Sequence, residues 1–133
     1  MKTKPKGKIG TIIIAIILSC IFPFAGQAQT IIDIQVAPNV LNLQSQGQVV
    51  TIHTDLAFWT VFGSTVTLND EEIESWKADN NGFFVAKFNM EAIKDLPLNI
   101  DEYNTLELRG EQTDGTEFIG VSEVLVIDKK GKN

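Results

Sequence analysis

The chain of 133 residues contains one cysteine, Cys20, and one histidine, His53. Beyond residue 20 there is no thiol, so neither a disulfide framework nor thiolate chemistry can be built there. A lone imidazole without thiols excludes the Cys/His sets that hold zinc. It also leaves a general base with no nucleophile or metal partner to serve. Cations are scarce as well: 11 Lys and Arg stand against 17 Asp and Glu, a net charge of −6. Without residues 1–28, which carry four lysines and no acid, seven basic residues face seventeen acidic ones, net −10. Such a surface is unsuited to the phosphates of nucleic acid and to anionic lipid. Its ordinary consequence is solubility.

A long membrane-spanning run is missing too. The most apolar stretch, Ile9 to about Ala25, is interrupted by Pro23 and falls short of the roughly 20 residues a span needs. It follows Lys2, Lys4, Lys6 and Lys8 and gives way to small residues, the three-part pattern of a secretory signal. Gly26 and Ala28 sit two apart, so cleavage after Ala28 leaves Gln29 as the first mature residue. Two other readings stand beside this one. The segment can stay on as an uncleaved anchor, or Ile17-Leu18-Ser19-Cys20 can act as a lipoprotein box with Cys20 lipidated. Ile21, Phe22 and Phe24 continue the apolar run where a lipidated start would turn polar, which favours the export signal. The expected location is secreted, periplasmic or at the extracellular cell surface.

What remains, residues 29–128 with a polar tail at 129–133, is enough for one domain. Its dominant pattern is alternation at period two, the mark of strands with one buried face. Ile32, Ile34 and Val36 form a first strand ending at Pro38, and Leu41 and Leu43 a short second piece. In Val50–Thr54, Val50, Ile52 and Thr54 share the inner face while Thr51, His53 and Asp55 share the outer. Leu56–Gly63 is aromatic and irregular and is expected to be a loop. Strands follow at Ser64–Leu68, Ile73–Lys77, Phe83–Phe88, Thr105–Arg109 and Phe118–Asp128. Between them lie turns at Asn69-Asp70-Glu71, Asp79-Asn80-Asn81-Gly82 and Thr113-Asp114-Gly115-Thr116. Around residues 90–96, Asn89 can cap a short helical turn in which Met90, Ile93 and Leu96 are three apart, before Pro97. Seven or eight short strands in about 100 residues predict an all-β, immunoglobulin-like two-sheet antiparallel β-sandwich.

Four stretches carry a family resemblance: "APNVLNLQSQGQVVTIHT" (Ala37–Thr54), "GSTVTLND" (Gly63–Asp70), "NGFFVAKFN" (Asn81–Asn89), and "TLELRGEQTDGTEFIG" to "VLVID" (Thr105–Asp128). Together they resemble small exported Ig-like domains of environmental bacteria and archaea, mostly without an assigned role. The resemblance implies a sandwich and export, and it brings no catalytic residue. In some related-looking domains the loop before the "VAKF"-like strand is longer and acidic, with the look of a calcium loop. Here that loop is only Asp79-Asn80-Asn81-Gly82.

The residues that bear chemistry each have a plain alternative. His53 falls on an outer strand face. Asp70, Glu71, Glu72 and Glu74 lack the spacing of an EF-hand. Asp70 and Asp79 are weak calcium candidates set against ordinary solvated turns, and no cofactor is otherwise expected. Paired carboxylates of the glycosidase kind need a cleft that a 105-residue sandwich does not offer. Phe58, Trp59 and Phe62 either stack on sugar rings or anchor a protein partner, or fold back to plug the core. Trp76 poses the same choice, and a sandwich tryptophan often packs between the sheets. Ile32, Ile34 and Val36 lie in an apolar first strand that either pairs within its own sheet or exchanges between subunits to build a homopolymer. The expected function is therefore non-enzymatic: an exported module acting by contact, structural or adhesive, toward a protein or cell-surface glycan. A filament subunit assembled by strand exchange and a carbohydrate-binding module are the alternatives.

Overall fold

The computed structural model describes residues 29–131, and the signal, anchor and lipidation readings of residues 1–28 fall outside them, as do Lys132 and Asn133. The strands are β1 (Gln29–Ile32), β2 (Ile34–Ala37), β3 (Val40–Asn42), β4 (Val49–Ala57) and β5 (Val61–Leu68), with a 3-10 turn at Phe58–Thr60 before β5. They continue as β6 (Glu71–Glu72), β7 (Ser75–Ala78), β8 (Phe83–Asn89), the helix α1 (Met90–Lys94), β9 (Glu102–Gln112) and β10 (Glu117–Ile127).

Two sheets form. One runs β2-β4-β8-β7; the other runs β1-β10-β9-β5-β6, with β3 also on β10. These are the A-B-E-D and G-F-C-C′ orders of an immunoglobulin-type sandwich, the fold class that the number of short strands and the turns between them predict. All pairings are antiparallel except β1 and β3, which both run parallel to β10. The inner positions of both sheets meet in a single core that includes Phe84, Phe88, Phe118, Ile52, Leu68 and Leu106. Each such side chain withdrawn from water contributes about 1.5–3 kcal/mol. The core is the main source of stability in a segment that has no disulfide.

The alternation locates β4 and β8 well: Val50, Ile52 and Thr54 are buried, as are Phe84, Ala86 and Phe88. The helix also forms where expected. The Asn89 side chain accepts a bond from Ala92 N at 3.2 Å, and Met90 and Ile93 are buried. The half-buried Lys94 ammonium donates to Ser45 O and pairs with Glu91, tying the helix to the β3–β4 loop.

Strand β7 begins at Ser75, not Ile73, and β9 runs from Glu102 to Gln112, beyond the expected Thr105–Arg109; three further differences have a structural cause. The first strand is two: β1 and β2 belong to different sheets, and Asp33 alone separates them. Alternation is blind to this switch because Ile32, Ile34 and Val36 remain buried on both sides of it. Secondly, Leu56–Gly63 is not a loop. Strand β4 reaches Ala57 and β5 begins at Val61, leaving a single 3-10 turn. The inward position after Val61 is Gly63, which has no side chain to reveal a strand. Four residues of β5, Gly63 to Val66, then stand opposite Gly110 alone, a bulge that breaks the period. Thirdly, the tail is tied down at its start: Asn42 clasps Lys129 by donating to its carbonyl at 2.9 Å and accepting from its N–H at 3.1 Å.

Candidate functional site

Three connections meet at one end of the sandwich. They are the Phe58–Thr60 turn between β4 and β5, the Asp79–Gly82 turn between β7 and β8, and the hairpin turn around Asp114-Gly115 between β9 and β10. The backbone joins them. Phe58 N donates to Gly82 O at 2.9 Å, and Thr113 N donates to Thr60 O at 2.9 Å. Within the turn, Thr60 Oγ1 donates to Ala57 O at 2.7 Å. The β4–β5 corner is thus held on both flanks. In the immunoglobulin scheme these are the B–C, D–E and F–G connections, and B–C and F–G belong to the end where variable domains bind.

The aromatic residues singled out in the sequence sit at this end. Trp59 is 75% exposed and Phe62 53% exposed. Phe58 is turned partly inward: its ring stacks on the buried Phe84, centroids 6.3 Å apart and planes at 29°. Neither Trp59 nor Phe62 plugs the core. Phe83, opposite Ala57 in the β4–β8 ladder, is a further partly exposed aromatic here. Its signal in the sequence is its position immediately after the Asn81-Gly82 turn, out of phase with the inward Phe84.

Trp76 has a different role. It lies opposite the buried Ala86, so it faces the interior, but β7 is an edge strand and the indole stays 41% exposed. A Cβ built on the buried Gly63 would come within 2.1–2.5 Å of three indole atoms. Trp76 therefore packs from one sheet onto the backbone of the other, the between-sheet placement typical of sandwich tryptophans.

Asp79 and Asp114 each brace their own turn. Asp79 Oδ1 accepts from Asn81 N at 2.8 Å and Phe83 N at 2.9 Å. These bonds, that from Phe83 foremost, hold its carboxyl below the ordinary aspartate range, with His53 adding a small electrostatic pull. Asp114 is lowered in the same way, first by the N–H and then by the hydroxyl of Thr116, at 3.0 and 2.7 Å. Asp70 sits in the β5–β6 turn with Asn69, both at positive φ, at the end of β5 remote from the aromatics. The two calcium candidates are therefore in different turns at opposite ends. Among the described residues no group of three or more His, Cys, Asp or Glu is placed to hold a metal ion.

His53 lies exposed on the outer face of β4, in a shallow recess also lined by Asp33, Gln35, Asp55 and Asp79. Val85, its partner across the ladder, is fully buried although it points outward. Ile32, Ile34 and Val36 all face the core, Ile32 from β1 and the other two from β2. No helix among the described residues is long and apolar enough to cross a membrane.

No family model, no curated protein and no solved structure matches the chain.

Proposed function

We propose that this protein is an exported, non-enzymatic Ig-like module that acts by contact, as a structural or adhesive component at or beyond the cell surface. Its contact surface is the aromatic end of the sandwich. One observation carries the reading: Trp59 presents three quarters of its surface to solvent from a one-turn corner that backbone bonds fix on both flanks. A large apolar ring held outward costs solvation and adds nothing to the core, and interface anchors are enriched in such residues. Its fixed setting limits the entropy lost on binding. The lysine-led apolar segment at residues 2–25 supports export.

The partner is a protein or a cell-surface glycan, and the same ring suits either. A glycan array probed with residues 29–133, alongside the Trp59→Ala variant, tests the choice. A signal lost in the variant identifies a glycan. A blank array combined with Trp59-dependent binding to surface proteins identifies a protein. Binding that ignores Trp59 in both assays rejects the proposed surface.

A further inference from the structure

We propose that β1 is an exchangeable strand: the Gln29–Ile32 segment of one copy pairs with β10 of a second copy, joining the two chains. This does not depend on the aromatic end.

The strand is weakly held. It has four residues and, among the described residues, lies at the edge of its sheet and pairs on one side only, in register from Gln29 opposite Glu117 to Ile32 opposite Gly120. Ile32 is its sole buried side chain, and Ile31 is 83% exposed. Among the described residues one side-chain bond reaches it, from Gln112 Nε2 to Thr30 Oγ1 at 3.2 Å.

Its edge is also unguarded. Exposed edges are normally blunted by charge or extreme shortness. Strand β7 carries Lys77, and β6 is two residues long and acidic. The uncharged edge strands are β3, only three residues long, β2, which runs directly into Pro38, and β1, which reads Gln-Thr-Ile-Ile with no proline in it or beside it.

The hinge is minimal and the socket selective. Asp33 alone links β1 to β2, and alternation runs through it unbroken, so one straight strand from Gln29 to Ala37 keeps every side chain on its present face. The socket is Gly120 on β10, where an added Cβ would fall 2.6 Å from Ile34 Cγ2 and 2.9 Å from Ile32 Cγ1. Ile34 stays with the body of the molecule, while Ile32 comes with the arm. The vacancy left by a departing arm thus fits one β-branched apolar side chain, which a second copy's β1 supplies with the same ladder. Because exchanged and closed forms share these contacts, exchange is a low-cost route to association. The net charge of −10 on residues 29–133 opposes it, so added salt should promote it.

The processed chain, residues 29–133, has no cysteine, which allows a direct test. Ile31 and Ile119 are in-register neighbours on the outer face of β1 and β10. Separate Ile31→Cys and Ile119→Cys chains are mixed at high protein concentration and high salt, then treated with a short bis-maleimide. The expected product joins one chain of each kind and increases with salt. Mixed chains that stay single, while a chain bearing both cysteines links only within itself, would overturn the proposal. Sedimentation of the unsubstituted chain under the same conditions guards against a variant that fails to fold: dimers or longer species support exchange, and monomers throughout reject it.

Discussion

The indole of Trp76 on β7 rests on the backbone of Gly63 on β5, and this contact joins the two sheets near an open edge of the sandwich. Any side chain at residue 63 must displace the ring. Gly63→Ala is expected to cost about 1–3 kcal/mol, the usual penalty for overpacking. In a Trp76→Ala background that cost should shrink, because the obstructing ring is gone. Urea unfolding of the four proteins in a double-mutant cycle measures the coupling.

A second prediction concerns Thr54, buried where the β4–β8 ladder slips between His53 and Ala57. Its hydroxyl donates to Phe84 O at 2.7 Å and accepts from Leu56 N at 3.2 Å, so it satisfies backbone groups across the irregularity. Thr54→Val keeps the shape and removes both bonds. The expected loss is about 1–3 kcal/mol, and Thr54→Ser should recover part of it. Equilibrium denaturation compares the three.

Acid sensitivity follows from Asp79 and Asp114, whose carboxyls are held low by bonds within their own turns. A group with a depressed folded pKa contributes stability that is complete above the unfolded aspartate value of about 3.9. That contribution fades as pH falls through the lower folded value. Asparagine at both positions keeps the accepting oxygen but does not titrate. The Asp79→Asn/Asp114→Asn protein should therefore lose less thermal stability than the wild type between about pH 5 and about pH 2. Parallel melting curves across that range would contradict the assignment.

Much of the sandwich is legible in the sequence because one buried face imposes period two. Val50 to Thr54 and Phe83 to Phe88 announce β4 and β8 in this way. Asn89, Met90 and Ile93 announce the helix by its cap and its spacing. The failures occur where a residue does structural work without a side-chain signal. Gly63 faces inward but has nothing to bury, so β5 is taken for loop through its first three residues. The switch of sheets at Asp33 changes the hydrogen-bonding partner and not the facing, which composition does not record. At the candidate site, Phe58, Trp59 and Phe62 are identifiable as a cluster of aromatics in a segment without alternation, but which of them faces the core is not: Phe58 stacks on Phe84 while Trp59 and Phe62 stay exposed. Their gathering beside Phe83 depends on bonds between turns some 20 and 50 residues away in sequence, Phe58 to Gly82 and Thr60 to Thr113.

Substitutions at the aromatic end should separate stability from contact. Trp59→Ala removes an exposed ring and should change unfolding free energy by no more than about 0.5 kcal/mol. Phe58→Ala should cost more, because its ring stacks on Phe84 in the core. Chemical denaturation of the two variants distinguishes them.

The most direct test of the account is a binding titration of labelled residues 29–133 against the surface of the cells that make the protein, beside Trp59→Ala and, as a remote control, Glu72→Ala, exposed on β6 at the opposite end of β5. The account predicts saturable binding that Trp59→Ala weakens by about 2 kcal/mol or more, roughly 30-fold in Kd, with both the fold and the Glu72→Ala affinity unchanged. Equal binding by all three proteins, or no binding by any, would contradict it.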